Sequence, residues 1–390
     1  MRSSSAAVSG LIVLLVSSAS ARQAPAGWPA LVDGYRRLLE QAGIVGSSLM
    51  IVRDGHMAAR DNEGYQDLER KQPVTDRTIY HWASITKTFT GIAIMQLRDR
   101  GLLSLDDPVV KYIPELRLAH DRFGDISQVK IRHLMSHSAG FRAATWPWGG
   151  DQPWHPFEPT TWAQLVAMMP YTEVMFEPGT KYSYSNPGVI FLGRIVQLLS
   201  GDDYEVYVTK NILMPLSMHE TFFDRAPYYL LPYRSHSYFR EDTGLREARF
   251  DFDTGITVSN GGLNAPFGDM ARYVAFLLGD PARPEYETVL KRRSLEEMWT
   301  PQIRAAAGEG TSGAESQAAL SFFVEQYGSV RLIGHSGDQN GFISHLYLHL
   351  PTRTAWVVSF NTDTRAGGSR PSTRDADARL RDLILDSLIH

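Results

Sequence analysis

The chain has 390 residues, 43% hydrophobic and 21% charged, which is the composition of an ordinary globular protein able to bury one large core or two smaller ones. It contains no cysteine, so neither a disulfide framework nor a thiolate metal site is available. The formal net charge is −4 and no run of Lys or Arg stands out, so a nucleic-acid partner has no electrostatic support and a small-molecule or short-peptide substrate is expected.

In chain order, Met1 and Arg2 precede an apolar stretch centred on Leu11 to Val16 and then Ala19-Ser20-Ala21. A basic start, an apolar core and a small-x-small site are the requirements of a secretory signal peptide, with cleavage expected after Ala21. The apolar run falls well short of the ~20 residues that cross a bilayer, so no membrane anchor is expected after cleavage. The absence of cysteine also excludes bacterial lipid attachment. The mature chain, 22–390, is expected to be periplasmic or secreted.

Residues 30–41 place Leu31, Tyr35, Leu38 and Leu39 at helical spacing, which predicts an amphipathic helix. Residues 48–52 and 57–65 flank Asp54-Gly55, a dipeptide suited to the positive φ of a tight hairpin turn, and are expected to be two antiparallel strands. From Ser84 to Arg98 the apolar residues Phe89, Ile92, Ala93, Met95 and Leu97 recur at helical intervals, so a second helix starts at or beside Ser84. Residues from about 102 to 260 are punctuated by Pro and Trp, with helical stretches at 162–169 and 189–199, and read as a mainly helical insertion.

Residues 305–319 are rich in Gly, Ala and Ser without apolar periodicity and are expected to form a surface loop. Strands are then expected at 320–324, 330–334, 343–350 and 355–360, followed by a Gly/Ser/Pro linker at 366–372 and a last amphipathic helix through Leu380, Leu383, Ile384 and Leu388. Strands near both ends with helices between them predict an α/β (α+β) fold: an antiparallel sheet flanked by helices, built from both termini, with the helical region inserted in the middle.

Three segments can carry chemistry. Ser84-Ile85-Thr86-Lys87 puts a lysine three residues after a serine, on one helix face. A serine hydroxyl needs a nearby base to become nucleophilic, and Lys87 can be that base only if burial beside the helix N-terminus lowers its pKa. The same N-terminus offers backbone N–H groups to an oxyanion. Taken alone this spacing is weak, because Ser127-Gln128-Val129-Lys130 repeats it; Ser127 reads as a cap or turn serine. Tyr184-Ser185-Asn186 adds a phenol that can relay the serine proton and an amide, Asn186, that can hold the substrate. His335-Ser336-Gly337, followed by Asp338, lies at the end of the strand expected at 330–334. A strand edge there would bind an extended substrate and lend a backbone N–H, that of Asp338, to the oxyanion hole, with Gly337 allowing close approach of the substrate.

These three segments, in this order, resemble the three motifs of the serine β-lactamase and penicillin-binding-protein superfamily, and their flanks resemble its class C branch, which also holds D-aminopeptidases, DD-carboxypeptidases and family VIII esterases. Further matching text is residues 102–108, residues 131–141 and Gly261-Gly262-Leu263. The resemblance implies Ser84 as nucleophile, Lys87 and Tyr184 as the proton-handling pair, the Ser84 N–H as one oxyanion donor, and no cofactor. Where most β-lactamases of this branch carry Lys-Thr-Gly, this chain has His335, charged only when protonated. That departure points away from β-lactam hydrolysis and toward an ester or a D-amino-acid peptide or amide, with a true β-lactamase or DD-carboxypeptidase as the alternative. A catalytically silent binding module is the alternative of another class.

His133 and His137 are spaced as two ligands on one helix face would be, but no third ligand accompanies them, so no metal site is expected. His345 and His349 read as solvated or paired strand residues. Trp146, Trp148, Trp154 and Trp162 cluster with prolines and form either core packing or an apolar rim to a substrate pocket.

Overall fold

The computed structural model describes residues 24–145, 159–248, 250, 253–280, 282–305, 315–365 and 370–389. The expected signal peptide, Trp146, Trp148, Trp154 and part of the 366–372 linker lie outside the described residues.

The central element, among the described residues, is a nine-stranded antiparallel sheet that joins the two ends of the chain. The strand Gly46–Arg53 pairs with Thr354–Phe360, with Ser47 opposite Phe360 and Arg53 opposite Thr354. On its other side Gly46–Arg53 pairs with His56–Asp67. Asp54 (φ 51°) and Gly55 (φ 75°) make the left-handed turn between them that the dipeptide predicted. From Thr354–Phe360 the sheet continues through Phe342–His349, Val330–Gln339, Phe323–Tyr327, Glu315–Ala318 and Ile303–Arg304.

Both faces of the central strands Gly46–Arg53, Phe342–His349 and Thr354–Phe360 are buried, and the two-residue side-chain period sorts their residues between two cores. Leu49, Ile51, Trp356, Val358 and Phe360 face α1 (Trp28–Ala42) and the C-terminal helix Thr373–Ile384. Met50, Val52, Ala355 and Val357 face the larger core built around α2 (Thr86–Asp99). The near-continuous apolar run Leu49 to Val52 follows from having a core on each side.

The region between 102 and 260 contains α3 (Ile131–Met135), α4 (Trp162–Met168), α5 (Asn186–Ser200) and the helix Tyr204–Val208, together with single 3-10 turns. It also holds the short strands Phe222–Phe223, Tyr238–Glu241 and Gly244–Glu247, and Tyr238–Glu241 pairs in parallel with Thr362–Thr364. Trp162, the described member of the tryptophan cluster, packs against the main core edge-on to Phe191.

Two expectations need correction. The strand expected at 320–324 runs over Phe323–Tyr327, because Ser321 has a left-handed backbone (φ 62°) and its N–H donates to the Met135 carbonyl at 2.7 Å. Leu320 and Phe322 are therefore buried in a turn and not in a strand. Residues 306–314 of the loop expected at 305–319 lie outside the described residues, and 315–318 form the strand Glu315–Ala318, whose alternating burial satisfies only one face and leaves a weak apolar signal.

Candidate active site

Ser84 sits in a 3-10 turn, Ala83–Ile85, immediately before α2 and not in the helix itself. Ala83 takes a left-handed backbone (φ 46°), a strained state for a residue with a Cβ, held by the Thr86 hydroxyl donating to its carbonyl at 2.6 Å. Trp82 anchors the turn from the other side: its N–H donates to Leu263 O at 2.8 Å and its indole to Ala265 O at 2.9 Å. The Leu263 N–H donates in turn to the Thr86 hydroxyl at 3.1 Å. The Gly261-Gly262-Leu263 segment thus closes onto the turn that presents Ser84.

Lys87, on the first turn of α2, is completely buried. Its Nζ donates to Ser84 Oγ at 2.9 Å and to the Asn260 carbonyl at 2.8 Å. Burial disfavours the ammonium and pushes its pKa well below the ordinary lysine value. Among the described residues no carboxylate pairs with it, so the amine is disposed to be neutral.

Tyr184, half-buried, precedes α5, and Lys87 Nζ lies 5.0 Å from its ring centroid. Ser185 caps α5, its hydroxyl accepting the Gly188 N–H at 3.1 Å, and Asn186 is the first residue of that helix. Its N–H donates to Ala143 O at 3.2 Å, which ties the Tyr184 segment to the chain beyond α3.

The third motif lies inside the strand Val330–Gln339, which runs past the end predicted at Gly334. The partner strand on one side stops where Phe323 pairs with Gly334, so 335–339 has Phe342–His349 on one side and no strand on the other among the described residues. This leaves an open backbone edge. His335 and Gly337, opposite Leu346 and Ser344, face the Ser84 turn; Ser336 and Asp338, opposite His345 and Ile343, face the C-terminal helix. Asp338 forms an ion pair with Arg374 there.

Gly337 has a packing role beside the one expected of it. A Cβ on Gly337 would lie 2.2 Å from the Trp82 carbonyl oxygen, so the space beside its Cα is filled by the protein's own turn. The glycine is needed because it brings the strand edge against the turn that carries Ser84.

His335 is buried, and its Nδ1–H donates to the Ser336 carbonyl at 2.6 Å, which leaves Nε2 as a buried acceptor without a partner among the described residues. Burial first and the nearby Lys87 second push its pKa down to about 3, so the imidazole is neutral at physiological pH.

The remaining candidates are placed elsewhere. Ser127 is in a single 3-10 turn capped by Asp125, and Lys130 pairs with Asp106 at 3.5 Å, so this second Ser-x-x-Lys is structural. α3 ends at Met135 and His137 has a left-handed backbone (φ 54°), so His133 and His137 do not share a helix face. No group of three or more metal-ligating side chains occurs among the described residues. His345 pairs with Asp377 at 2.7 Å and His349 with Thr352 at 2.8 Å. A cavity of about 460 Å³ lined by Phe276, Tyr286, Leu290, Arg292 and Arg353 contains no residue of the three motifs.

Sequence reasoning missed the Asn260 carbonyl and the Trp82 carbonyl, since a backbone partner has no side-chain signature. The only pointer to Asn260 is its position next to Gly261-Gly262-Leu263.

Comparison with known proteins gives a consistent answer. Protein flp of Staphylococcus aureus (strain COL) is 25% identical over 326 residues, 84% of this chain and 61% of that protein. A Beta-lactamase of Pseudomonas fluorescens is 28% identical over 185 residues, 47% of this chain and 48% of that protein. The chain thus spans about three-fifths of the length of the flp relative that it matches. Among solved structures, the octameric penicillin-binding protein homologue from Pyrococcus abyssi superposes with a TM-score of 0.75 at 26% identity, covering 92% of this chain and 77% of that one. A class C beta-lactamase superposes with a TM-score of 0.74 at 20% identity, covering 93% of this chain and 96% of that one, a likeness of fold. The Beta-lactamase family profile matches residues 31–380, which contain the Ser84 turn, the Tyr184 segment and the open strand edge, and the chain belongs to the Beta-lactamase family.

Proposed function

We propose that the protein is a serine hydrolase that forms an acyl-enzyme on Ser84 and acts on an ester, or on a D-amino-acid peptide or amide, as acyl donor. The observation that carries this reading is the buried amine of Lys87 at 2.9 Å from Ser84 Oγ, with its pKa lowered by desolvation. A neutral amine at that distance takes the hydroxyl proton as Oγ attacks the substrate carbonyl. The backbone N–H groups of Ser84 and Asp338 stabilise the oxyanion that forms. Tyr184 relays the proton to the leaving group, Asn186 and the 335–338 strand edge hold the substrate, and water then hydrolyses the acyl-enzyme. No cofactor takes part in these steps.

His335 supports the proposed substrate class. A neutral, buried imidazole supplies no charge to a substrate carboxylate, which favours neutral acyl donors over β-lactams. The similarity to a Pseudomonas fluorescens Beta-lactamase favours β-lactam hydrolysis as the second reading. Residues 1–21 support export to the periplasm or outside the cell, and no helix of the described residues is long and apolar enough to cross a membrane.

The test is turnover of p-nitrophenyl esters, D-alanyl peptides and a chromogenic cephalosporin by the purified protein, each beside Ser84→Ala. Ester turnover that needs Ser84, with poor cephalosporin turnover, is expected. Cephalosporin turnover that rivals the ester would reverse the substrate ranking.

A further inference from the structure

His137 follows the short α3 and holds a left-handed backbone (φ 54°) although it carries a Cβ, a state that persists only where surrounding contacts impose it. Those contacts converge on one place. The His137 carbonyl accepts the Ser183 N–H at 2.8 Å, and its Nδ1 accepts the Ser185 N–H at 3.1 Å. Its ring stacks on that of Tyr184, with centroids 4.4 Å apart and planes inclined by 29°. One residue therefore grips the backbone on each side of Tyr184 and covers the face of its phenol.

Two further aromatic rings neighbour the imidazole. Phe323 lies near-parallel to it at 6.3 Å and Tyr182 meets it edge-on at 6.1 Å. Because Nδ1 accepts an amide hydrogen, a neutral ring carries its own proton on Nε2. Burial of the ring holds it neutral.

We propose that His137 is the positioning residue of Tyr184, fixing the phenol beside Lys87 through its carbonyl, its Nδ1 and its ring face. The inference rests on the reading that Tyr184 handles the proton in acyl transfer. His137 touches no substrate in this scheme; it acts through the tyrosine.

Two variants separate the contacts. His137→Asn tolerates the left-handed backbone and keeps an oxygen acceptor for the Ser185 N–H but removes the stacked ring. His137→Phe keeps a ring face and removes the acceptor. With p-nitrophenyl butyrate, each is expected to lower kcat by about tenfold to a hundredfold, as a small misplacement of a catalytic group does, with KM within about twofold. The rate of Ser84 modification by a fluorophosphonate probe is expected to fall in parallel. In a Tyr184→Phe background the same substitutions are expected to add less than about twofold, because the group they position is gone.

A folded variant with wild-type kcat, or losses that multiply in full with Tyr184→Phe, overturns the proposal while leaving the role of Tyr184 intact. Tyr184→Phe with wild-type kcat, beside an inactive Ser84→Ala, overturns the role of Tyr184 and the proposal with it. The unmodified protein gives a reading that needs no folded variant: nitrogen-15 spectra of labelled histidine are expected to show His137 as the Nε2–H tautomer, and an Nδ1–H tautomer overturns the proposal.

Discussion

Substituting Gly337 by alanine tests the contact that brings the strand edge to the nucleophile. The added Cβ would meet the Trp82 carbonyl oxygen at 2.2 Å and Ser344 Oγ at 2.5 Å, whereas ordinary contact begins at 3.4 Å. The Ser344 hydroxyl can rotate away, but the Trp82 carbonyl belongs to backbone that also anchors Ser84. Strand and turn must therefore part by about 1 Å, an overpacking that costs about 1–3 kcal/mol of stability. The same displacement separates the 335–338 edge from Ser84, and an error of that size in a catalytic constellation costs about a hundredfold in kcat/KM. Urea unfolding and fluorophosphonate labelling read the two effects. Gly268→Ala is the control: the nearest atom to its Cβ is 4.0 Å away and it lies in the helix Phe267–Leu278, so stability is expected to stay level or rise by up to about 1 kcal/mol. Wild-type stability and labelling for Gly337→Ala would refute the reasoning.

Other outcomes follow from Lys87 and His335. Lys87→Met is expected to slow acylation of Ser84 by about 10²–10⁴-fold, the usual worth of a positioned base, as measured by probe labelling. The wild-type labelling rate is expected to rise with pH and level off well below the ordinary lysine value of 10.5, since only the neutral amine can take the proton; a rate still climbing through that value would contradict a buried, depressed lysine. His335→Lys adds a cation at the strand edge and is expected to raise turnover of a chromogenic cephalosporin relative to p-nitrophenyl butyrate, read as the ratio of their kcat/KM values. His335 also carries a stability signature: its folded pKa of about 3 lies below the unfolded value of 6.5, so its contribution is full above pH 6.5 and is lost as pH falls toward 3. Relative to His335→Gln, the wild type is expected to lose roughly 1.6 kcal/mol between pH 6.5 and 5 in urea titrations; a pH-independent difference would show that the imidazole is solvated.

The parts of the fold legible in the sequence are those whose side chains face a single environment or occupy a turn with one solution. The helical spacing of Leu31, Tyr35, Leu38 and Leu39 predicts α1, and Asp54-Gly55 predicts the hairpin. The spacing of Ser84 and Lys87 predicts their contact, since one helical turn separates them whether the serine lies in the helix or in the 3-10 turn before it. What was not legible depends on long-range partners. Phe322 is apolar like a strand residue, yet Ser321 bends the chain because its N–H finds Met135, far away in sequence. Gly337 has the ambiguity of any glycine in a strand, and only the position of Trp82 shows what approaches it. His137 looked like a partner of His133 by spacing alone, and α3 ends before it is reached.

The most direct measurement is intact and peptide-level mass spectrometry of the purified protein after reaction with a fluorophosphonate probe. A single adduct on the peptide containing Ser84, formed by the wild type, slowed in Lys87→Met and absent in Ser84→Ala, is the predicted result. An adduct on another residue, or no adduct on the folded wild-type protein, would contradict the account.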